Sequence, residues 1–225
     1  MALFADSAHL DDVAALRAVF PITGATTNPS ILLAARERGQ RATDREIARG
    51  LLDICPGPVF MQPSAASAEE LRAAALRYVE LEPSRVVVKL PLTSDGLEAA
   101  HALREDGARL SFTAVASVAQ AYCALLAGAA WVIPYFGRLR RAGVDAPARL
   151  GAMARLIAAQ HSDARLLVAS LKSADEVTEA LLAGGGDITA APEIIRALAA
   201  DPLTNTAVAR FAADWERFQR PDSAP

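Results

Sequence analysis

Short apolar segments alternate along this chain with longer segments in which apolar residues recur at helical spacing. The short segments are rich in Val, Ile, Leu and Phe, as buried parallel strands are, and the longer ones are rich in Ala, Leu and Arg. Each short segment is followed by a predicted helix, which is the pattern of repeated βα units. The eight candidate strands have the sequences LFADS, GATT, PVFMQ, VVVKLPL, RLSFTA, WVIPYF, RLLVAS and DITAA.

Eight βα units within 225 residues predict an α/β fold whose strands close into a (β/α)8 TIM barrel. An open doubly wound sheet is the alternative, and it is disfavoured because no G-x-G-x-x-G sequence follows the first strand. No linker divides the chain, so residues 1–225 are predicted to form a single domain. Residues 203–220 are predicted to form an additional amphipathic C-terminal helix with Phe211, Trp215 and Phe218 on one stripe. This helix would pack either on its own barrel or on a neighbouring subunit.

Composition and charge narrow the class of protein. The chain is 52% hydrophobic and 22% charged with a net charge of −3, and its pI is about 5.7. This balance is typical of globular proteins and predicts no general attraction to nucleic acid or to an anionic membrane surface. No apolar run reaches the roughly 20 residues that cross a bilayer. The two cysteines and the absence of a secretion signal favour a cytoplasmic protein with reduced thiols.

Polar residues are few inside the predicted strands, and they lie near the strands' carboxyl ends. Both faces of each strand are buried in a closed barrel, and the loops at the carboxyl-terminal rim carry the active site. Taken singly, each residue has an ordinary structural explanation, such as helix capping by an asparagine or serine. Taken together, they predict a site at this rim. The residues are Asp6, Thr26, Thr27, Asn28, Gln62, Lys89, Thr113, Tyr135 and Ser170.

Lys89, inside the apolar run of the fourth strand, is the strongest single signal. Strand alternation places Val87 and Lys89 on one face and Val86, Val88 and Leu90 on the other. If the second group faces the helices, Lys89 points into the barrel, where desolvation lowers the pKa of its amine. A neutral amine can attack a carbonyl group to form a Schiff base.

Two explanations of Lys89 stay open on these grounds. In the first, it is structural: its ammonium reaches the rim or pairs with an inward acid such as Asp6. In the second, it is catalytic, and Gln62, Thr113 and Tyr135 hold a water and move protons after a carbinolamine or enamine has formed. The number of polar groups at the rim favours the second explanation. The three histidines do not have metal-site spacing, so no metal is expected.

Several segments together resemble the transaldolase family. The resemblance is closest to its small members, the fructose-6-phosphate aldolase type, and it runs along the whole chain. It is carried by Asp6 in the first strand, GATTNPSI at 24–31, VVVKLPLTSDG around Lys89, TAV from Thr113, and PYFGRL at 134–139.

The resemblance implies a class I aldolase that uses a lysine Schiff base and neither a metal nor another cofactor. By position, Lys89 would be the Schiff-base lysine and Asp6 the carboxylate that transfers protons. Thr113 would orient the catalytic water, together with Gln62 and Tyr135. These five residues are the predicted catalytic set.

The resemblance also implies a substrate-binding set at the same rim. Asn28 would bind substrate hydroxyls, with Thr26 beside it. Arg138, with Ser170 and Lys172, would bind the phosphate of a sugar phosphate. Late βα loops commonly hold phosphate in barrels of this kind, and a guanidinium suits phosphate oxygens.

Gln62 and Tyr135 separate the branches of the family, because transaldolases proper are expected to carry glutamate and phenylalanine there. The predicted reaction is cleavage or formation of a ketose phosphate such as fructose 6-phosphate, with dihydroxyacetone and an aldose phosphate as the other partners. One alternative is a transaldolase that passes the three-carbon unit from fructose 6-phosphate to erythrose 4-phosphate. Another is a non-catalytic sugar-phosphate-binding barrel. The resemblance and the aromatic C-terminal helix both predict a homo-oligomer.

Overall fold

Eight parallel strands close into a barrel in the computed structural model, which describes residues 1–220. Each strand pairs with its neighbours in chain order, and β1 pairs with β8 to complete the circle. The predicted (β/α)8 TIM barrel is therefore confirmed, and all eight candidate strands form. The strands are β1 (Leu3–Asp6), β2 (Ile22–Thr26), β3 (Val59–Met61), β4 (Val86–Pro91), β5 (Arg109–Val115), β6 (Trp131–Pro134), β7 (Arg165–Val168) and β8 (Asp187–Ala190).

Helices follow every strand and form the outer layer, with two helices in each of the β2–β3 and β6–β7 connections. None of the helices within residues 1–220 is long and apolar enough to cross a membrane. The helices are α1 (Leu10–Arg17), α2 (Pro29–Glu37), α3 (Asp44–Ile54), α4 (Ala68–Val79), α5 (Ser94–Glu105), α6 (Val118–Leu126), α7 (Phe136–Arg141), α8 (Ala146–Ala159), α9 (Ala174–Leu182), α10 (Pro192–Ala197) and α11 (Pro202–Gln219).

The loops after β3, β5 and β7 enter their helices in one common way. A serine hydroxyl accepts a hydrogen bond from the N–H three residues later, and the Glu or Gln at that third position accepts one from the N–H before the serine. These reciprocal bonds fix the start of each helix and hold its loop at the rim. The serines are Ser67, Ser117 and Ser173, and the acceptors are Glu70, Gln120 and Glu176.

The barrel interior is filled by large aromatic side chains near its middle. The ring of Phe60 meets Phe4 edge-on at 5.3 Å between centroids and Trp131 at 5.0 Å. Because edge-on pairs of this kind pack closely, they leave no channel through the barrel at this level. Any site must then lie above these rings or below them.

A buried polar cluster closes the amino-terminal end of the barrel. Asp187, which is fully buried, accepts hydrogen bonds from the Ala2 N–H at 2.7 Å and from Trp131 Nε1 at 3.1 Å. It also pairs with Arg165. The guanidinium of Arg109 lies 5.1 Å from the centre of the Trp131 ring. These residues stand at the starts of four strands, so this end is occupied by structural contacts.

The C-terminal helix α11 has no buried residue. The prediction that its apolar stripe packs on its own barrel is therefore wrong, and docking on a neighbouring subunit stays a prediction. Trp215 and Phe218 stack on each other with ring centroids 5.5 Å apart while both remain exposed. An apolar face of this kind on a long helix is characteristic of interaction surfaces.

Replacing Asp187 with alanine is expected to destabilise the barrel without harming the site at the other end. Loss of the carboxylate leaves the buried Trp131 Nε1 donor without an acceptor, so the free energy of unfolding should fall by roughly 2–3 kcal/mol. Urea unfolding measures this change. The matched control is Asp163→Ala on the surface, which should stay within about 0.5 kcal/mol of the parent. A fall for Asp187→Ala no larger than that of the control would contradict a structural role.

Candidate active site

Lys89 lies on the interior face of β4, as strand alternation predicted. Val87 belongs to the cluster inside the barrel, whereas Val86, Val88 and Leu90 belong to the layer between strands and helices. The Lys89 side chain is only 1% exposed. A long cationic side chain is rarely buried to this degree without a partner or a function.

The amine of Lys89 is held by a backbone carbonyl and not by an acid. Its Nζ donates a hydrogen bond to the Thr27 carbonyl oxygen at 3.0 Å. Lys89 and Asp6 both lie within residues 1–220, and they do not form a direct ion pair. Burial lowers the pKa of Lys89, the more distant charge of Asp6 opposes that change, and Arg138 adds to it. This environment favours the neutral amine.

Asp6, at the carboxyl end of β1, is held by two threonines in series. The hydroxyl of Thr26 donates to Asp6 Oδ1 at 2.6 Å, and the Thr189 hydroxyl lies 2.6 Å from that of Thr26. Burial raises the pKa of Asp6, while Lys89, the Thr26 hydrogen bond and Lys172 act in the opposite direction. The hydroxyl of Thr26 is engaged with these protein groups, and its role in substrate binding stays a prediction.

Thr113 and Tyr135 meet at the rim as predicted. The Thr113 hydroxyl donates to the Tyr135 hydroxyl at 2.8 Å, and burial raises the pKa of Tyr135, with Thr113 and Arg138 opposing. The guanidinium of Arg138 lies 4.4 Å from the centre of the Tyr135 ring. Gln62 follows β3, and its Oε1 is buried without a hydrogen-bond partner among residues 1–220. A buried acceptor of this kind suits a water or a substrate group.

Asn28 lies between β2 and α2, and its side-chain oxygen has a structural role. Its Oδ1 accepts a hydrogen bond from the Ile31 N–H at 3.0 Å and so caps α2. This bond fixes the side chain at the rim and leaves its amide nitrogen as a donor.

The predicted phosphate-binding residues lie where β6 and β7 end. Arg138 is near the start of α7, and Ser170 and Lys172 are in the loop between β7 and α9. The start of α7 touches the loop after β7 closely: a Cβ on Gly137 would lie 2.3 Å from the Ser170 carbonyl oxygen. Only glycine allows this approach, which holds the residue before Arg138 against the backbone of Ser170. Ser173, rather than Ser170, caps α9, so the hydroxyl of Ser170 is not used for capping.

Two non-glycine residues at the rim have left-handed backbone conformations. Ala114 has φ 58° and Ser170 has φ 63°. Ala114 lies where the pairing of β5 with β6 shifts by one residue, between Thr113 and Val115. Such conformations cost free energy and cluster at functional sites. Thr113, directly before Ala114, makes the hydrogen bond to Tyr135 at this point.

Three contributors were missed from the sequence: Thr189, Gly137 and Ala114. A threonine in a β-strand is an ordinary strand former, a glycine before an arginine is an ordinary turn residue, and an alanine carries no chemistry. Only their positions relative to Asp6, Ser170 and Thr113 give them a role. No signal within the chain itself would have identified them.

The structure thus brings an interior amine, a carboxyl group and a pair of hydroxyls to one end of a closed barrel, with cations on its rim. A neutral amine can form an imine with a ketone, and neighbouring acids can supply and remove the protons. The rim cations suit an anionic group on the same molecule. The arrangement can therefore support imine chemistry on a phosphorylated carbonyl compound.

Solved structures with similar folds confirm the barrel. An inosine 5'-monophosphate dehydrogenase from Legionella pneumophila matches with a TM-score of 0.58 and 12% identity, over 87% of this chain. This chain spans 59% of that protein's length. At this identity the likeness concerns the fold alone.

Three curated proteins similar to this chain are named as probable transaldolases. A protein of Thermus thermophilus named probable transaldolase is 33% identical over 223 residues, covering 97% of this chain and 100% of that protein. Probable transaldolase 2 of Bacillus anthracis is 34% identical over 221 residues, covering 96% of this chain and 98% of that protein. A probable transaldolase of Symbiobacterium thermophilum is 32% identical over 216 residues, covering 96% of this chain and 97% of that protein.

The family model described as transaldolase/fructose-6-phosphate aldolase matches residues 3–221, nearly the whole chain. The match includes β1 with Asp6, β4 with Lys89, α7 with Arg138 and the loop after β7 with Ser170. Such membership indicates an enzyme of the aldolase or transferase kind. The chain therefore belongs to the transaldolase/fructose-6-phosphate aldolase family.

Proposed function

We propose that this protein is a class I aldolase that cleaves and forms a ketose phosphate such as fructose 6-phosphate. The products of cleavage are dihydroxyacetone and an aldose phosphate. The observation that carries the proposal is the buried amine of Lys89, which has a lowered pKa and no direct acidic partner in the described chain. A structural lysine would gain from an ion pair at this depth, whereas a nucleophile needs the neutral form.

The first half of the reaction joins Lys89 to the substrate ketone. Nζ attacks the carbonyl carbon, and the resulting carbinolamine loses water to give the imine. Burial raises the pKa of Asp6, so its carboxyl can hold the proton that the departing hydroxyl takes. Asp6 is left as a carboxylate, ready to accept a proton.

The second half breaks the carbon–carbon bond. The Asp6 carboxylate removes the proton of the substrate hydroxyl next to that bond, the electron pair of the bond moves to the protonated imine, and the aldose phosphate leaves from the enamine. Protonation of the enamine carbon and addition of water then release dihydroxyacetone and free Lys89. Tyr135 accepts its hydrogen bond from Thr113, so its own proton is available, and Gln62 Oε1 can accept from the attacking water.

Substrate recognition is proposed to use the two sides of the rim. Asn28 would bind hydroxyls of the three-carbon unit near Lys89. Arg138, Ser170 and Lys172 would bind the phosphate, since Arg138 and Lys172 are exposed cations on adjoining loops. Guanidinium groups bind phosphate in a bidentate manner, which also orients the sugar.

Transaldolase activity is the second candidate, and the names of the curated relatives favour it. Gln62 and Tyr135 favour the aldolase, because a proton from the tyrosine hydroxyl lets the enamine leave as free dihydroxyacetone without an aldehyde acceptor. A non-catalytic sugar-phosphate-binding barrel is the third candidate. It would use Arg138 and Ser170 and would need no reactive amine.

A homo-oligomer in the cytoplasm completes the proposal. The exposed apolar side chains of α11 include Phe211, Trp215 and Phe218, which are 66%, 59% and 78% exposed. Their burial against a second copy would remove a large apolar area from water, a favourable change of about 25 cal/mol per Å². Neither nucleic acid nor a membrane is expected as a partner.

Borohydride reduction in the presence of dihydroxyacetone is expected to attach a three-carbon adduct to Lys89. Peptide mapping by mass spectrometry locates the modified residue. Lys89→Met should lose both the adduct and turnover while keeping its fold, because methionine is an apolar side chain of similar length. Circular dichroism and thermal unfolding of this variant serve as the control. Unfolding of Lys89→Met would instead indicate a structural lysine, and a folded parent without an adduct would favour the binding barrel.

The pH dependence of trapping should report the lowered pKa of Lys89. Imine formation needs the neutral amine, so the rate of adduct formation with cyanoborohydride rises as pH rises through that pKa. The midpoint of this dependence of rate on pH should lie below that of a free lysine, because burial favours the neutral amine of Lys89. Asp6→Asn removes a charge that holds the pKa up, and should move the midpoint further down. A midpoint at the ordinary lysine value would contradict the proposed activation.

Fructose 6-phosphate alone should yield free dihydroxyacetone, measured by an enzyme-coupled assay with and without erythrose 4-phosphate. Tyr135→Phe should slow the acceptor-free reaction on the order of 100-fold, because it removes the proposed proton donor. Transfer to erythrose 4-phosphate should be affected less, since the acceptor takes the place of that proton. Product formed by the parent protein only when the acceptor is present would show a transaldolase.

Replacing the exposed aromatics of α11 should break the proposed assembly. The parent protein is expected to elute as an oligomer, and Phe211→Asp/Trp215→Asp as a smaller species, in size-exclusion chromatography with light scattering. Glu216→Gln, exposed on the same helix, is the control and should keep the parent mass. A parent protein with the mass of one chain would refute the assembly.

A further inference from the structure

A cavity lies outside the barrel, between α2, α3 and α4 and beside the loop that follows β3. Its volume is about 490 Å³, within the range of small-molecule sites. We call this cavity the helical cleft. Its walls include Arg36 from α2, Arg45 from α3 and Arg77 from α4. Of the proposed catalytic residues, Gln62 is among its walls, whereas Lys89, Asp6, Thr113 and Tyr135 are not, so the cleft adjoins the imine site only at Gln62.

Positive charge dominates the helical cleft. Three guanidinium groups face one lining carboxylate, that of Asp44, and this acid accepts a hydrogen bond from the Tyr78 hydroxyl. One nitrogen of Arg45 lies 3.3 Å from Glu80 in an exposed pair, which is worth little in free energy. Within residues 1–220, Arg36 and Arg77 form no ion pair. The excess charge is thus not neutralised by the protein's own acids.

Two buried polar atoms on residues that line the cleft have no hydrogen-bond partner among the described residues. They are Arg45 Nε, a donor, and Gln62 Oε1, an acceptor. A buried donor without an acceptor is destabilising, so such groups are usually satisfied by a water or a ligand. An anionic oxygen would satisfy Arg45 Nε, whereas Gln62 Oε1 remains the acceptor for the water of the proposed reaction.

The rest of the wall sets the size and character of the occupant. Pro29, Leu32 and Ala74 provide an apolar side, so the cleft suits more than a bare inorganic ion. Arginines on three different helices can surround one anionic group from several directions, as bidentate recognition requires. The volume limits the occupant to a small molecule.

From these observations we propose that the helical cleft binds a small organic anion, in which a phosphate or carboxylate group meets Arg36, Arg45 and Arg77 and a short hydroxylated body lies against the apolar wall. This site is separate from the proposed phosphate-binding residues on the opposite loops. The proposal concerns binding alone, and no reaction of the bound molecule is part of it.

Isothermal titration tests the proposal in the Arg138→Leu background, which removes the proposed phosphate contact at the active site. The probes are glycerol 3-phosphate, glycerate and uncharged glycerol, at constant ionic strength. These molecules share a three-carbon hydroxylated body and differ in the anionic group, so they separate phosphate from carboxylate recognition. Saturable binding of at least one anion, with none for glycerol, is the expected result.

Variants of the cleft assign the binding to its arginines. Arg45→Met/Arg77→Met should weaken binding at least tenfold, and Arg77→Gln alone serves if the double variant is unstable, since Arg77 is exposed. The matched control is Arg49→Met, which removes the same charge from an exposed position of α3 that does not line the cleft. Absence of saturable binding for both anions overturns the proposal. Equal weakening by Arg49→Met also overturns it, because a general charge effect would then explain the binding.

Discussion

Burial of one amine is the constraint on which the rest of the site depends. Lys89 reaches the interior because β4 alternates its side chains, and the aromatic layer of Phe4, Phe60 and Trp131 keeps water from approaching it from below. Desolvation then favours the neutral amine. The backbone carbonyl of Thr27, an uncharged acceptor, orients Nζ without restoring the charge. A direct carboxylate in that position would have made Lys89 a structural cation.

The same burial acts in the opposite direction on the nearby acid. It raises the pKa of Asp6, while Thr26 holds the carboxyl in place and Thr189 supports Thr26. Two titratable groups whose pKa values move toward one another can exchange protons with the substrate at modest cost. The two residues come from strands that are far apart around the barrel. Closure of the barrel brings both residues to its carboxyl-terminal end.

The two ends of the barrel divide stability from chemistry. At the amino-terminal end, Asp187 satisfies a buried indole, a backbone N–H and a guanidinium. At the carboxyl-terminal end, some polar atoms are left without protein partners, among them Gln62 Oε1. The left-handed residues Ala114 and Ser170 also lie at this end. Unmet hydrogen bonds and backbone strain are tolerated at the rim because the rest of the barrel is fully packed.

The sequence by itself determined the barrel, because hydrophobic periodicity and strand alternation are local properties of the chain. It also determined that Lys89 points inward and that polar groups gather at one rim, since every parallel strand of a barrel ends on the same side. Only the tertiary structure decided that Lys89 bonds to the Thr27 carbonyl rather than to Asp6, and that Thr26 holds Asp6. It alone showed that the apolar stripe of α11 does not pack on its own barrel. These features are distances between residues remote in sequence, and no local pattern encodes such distances.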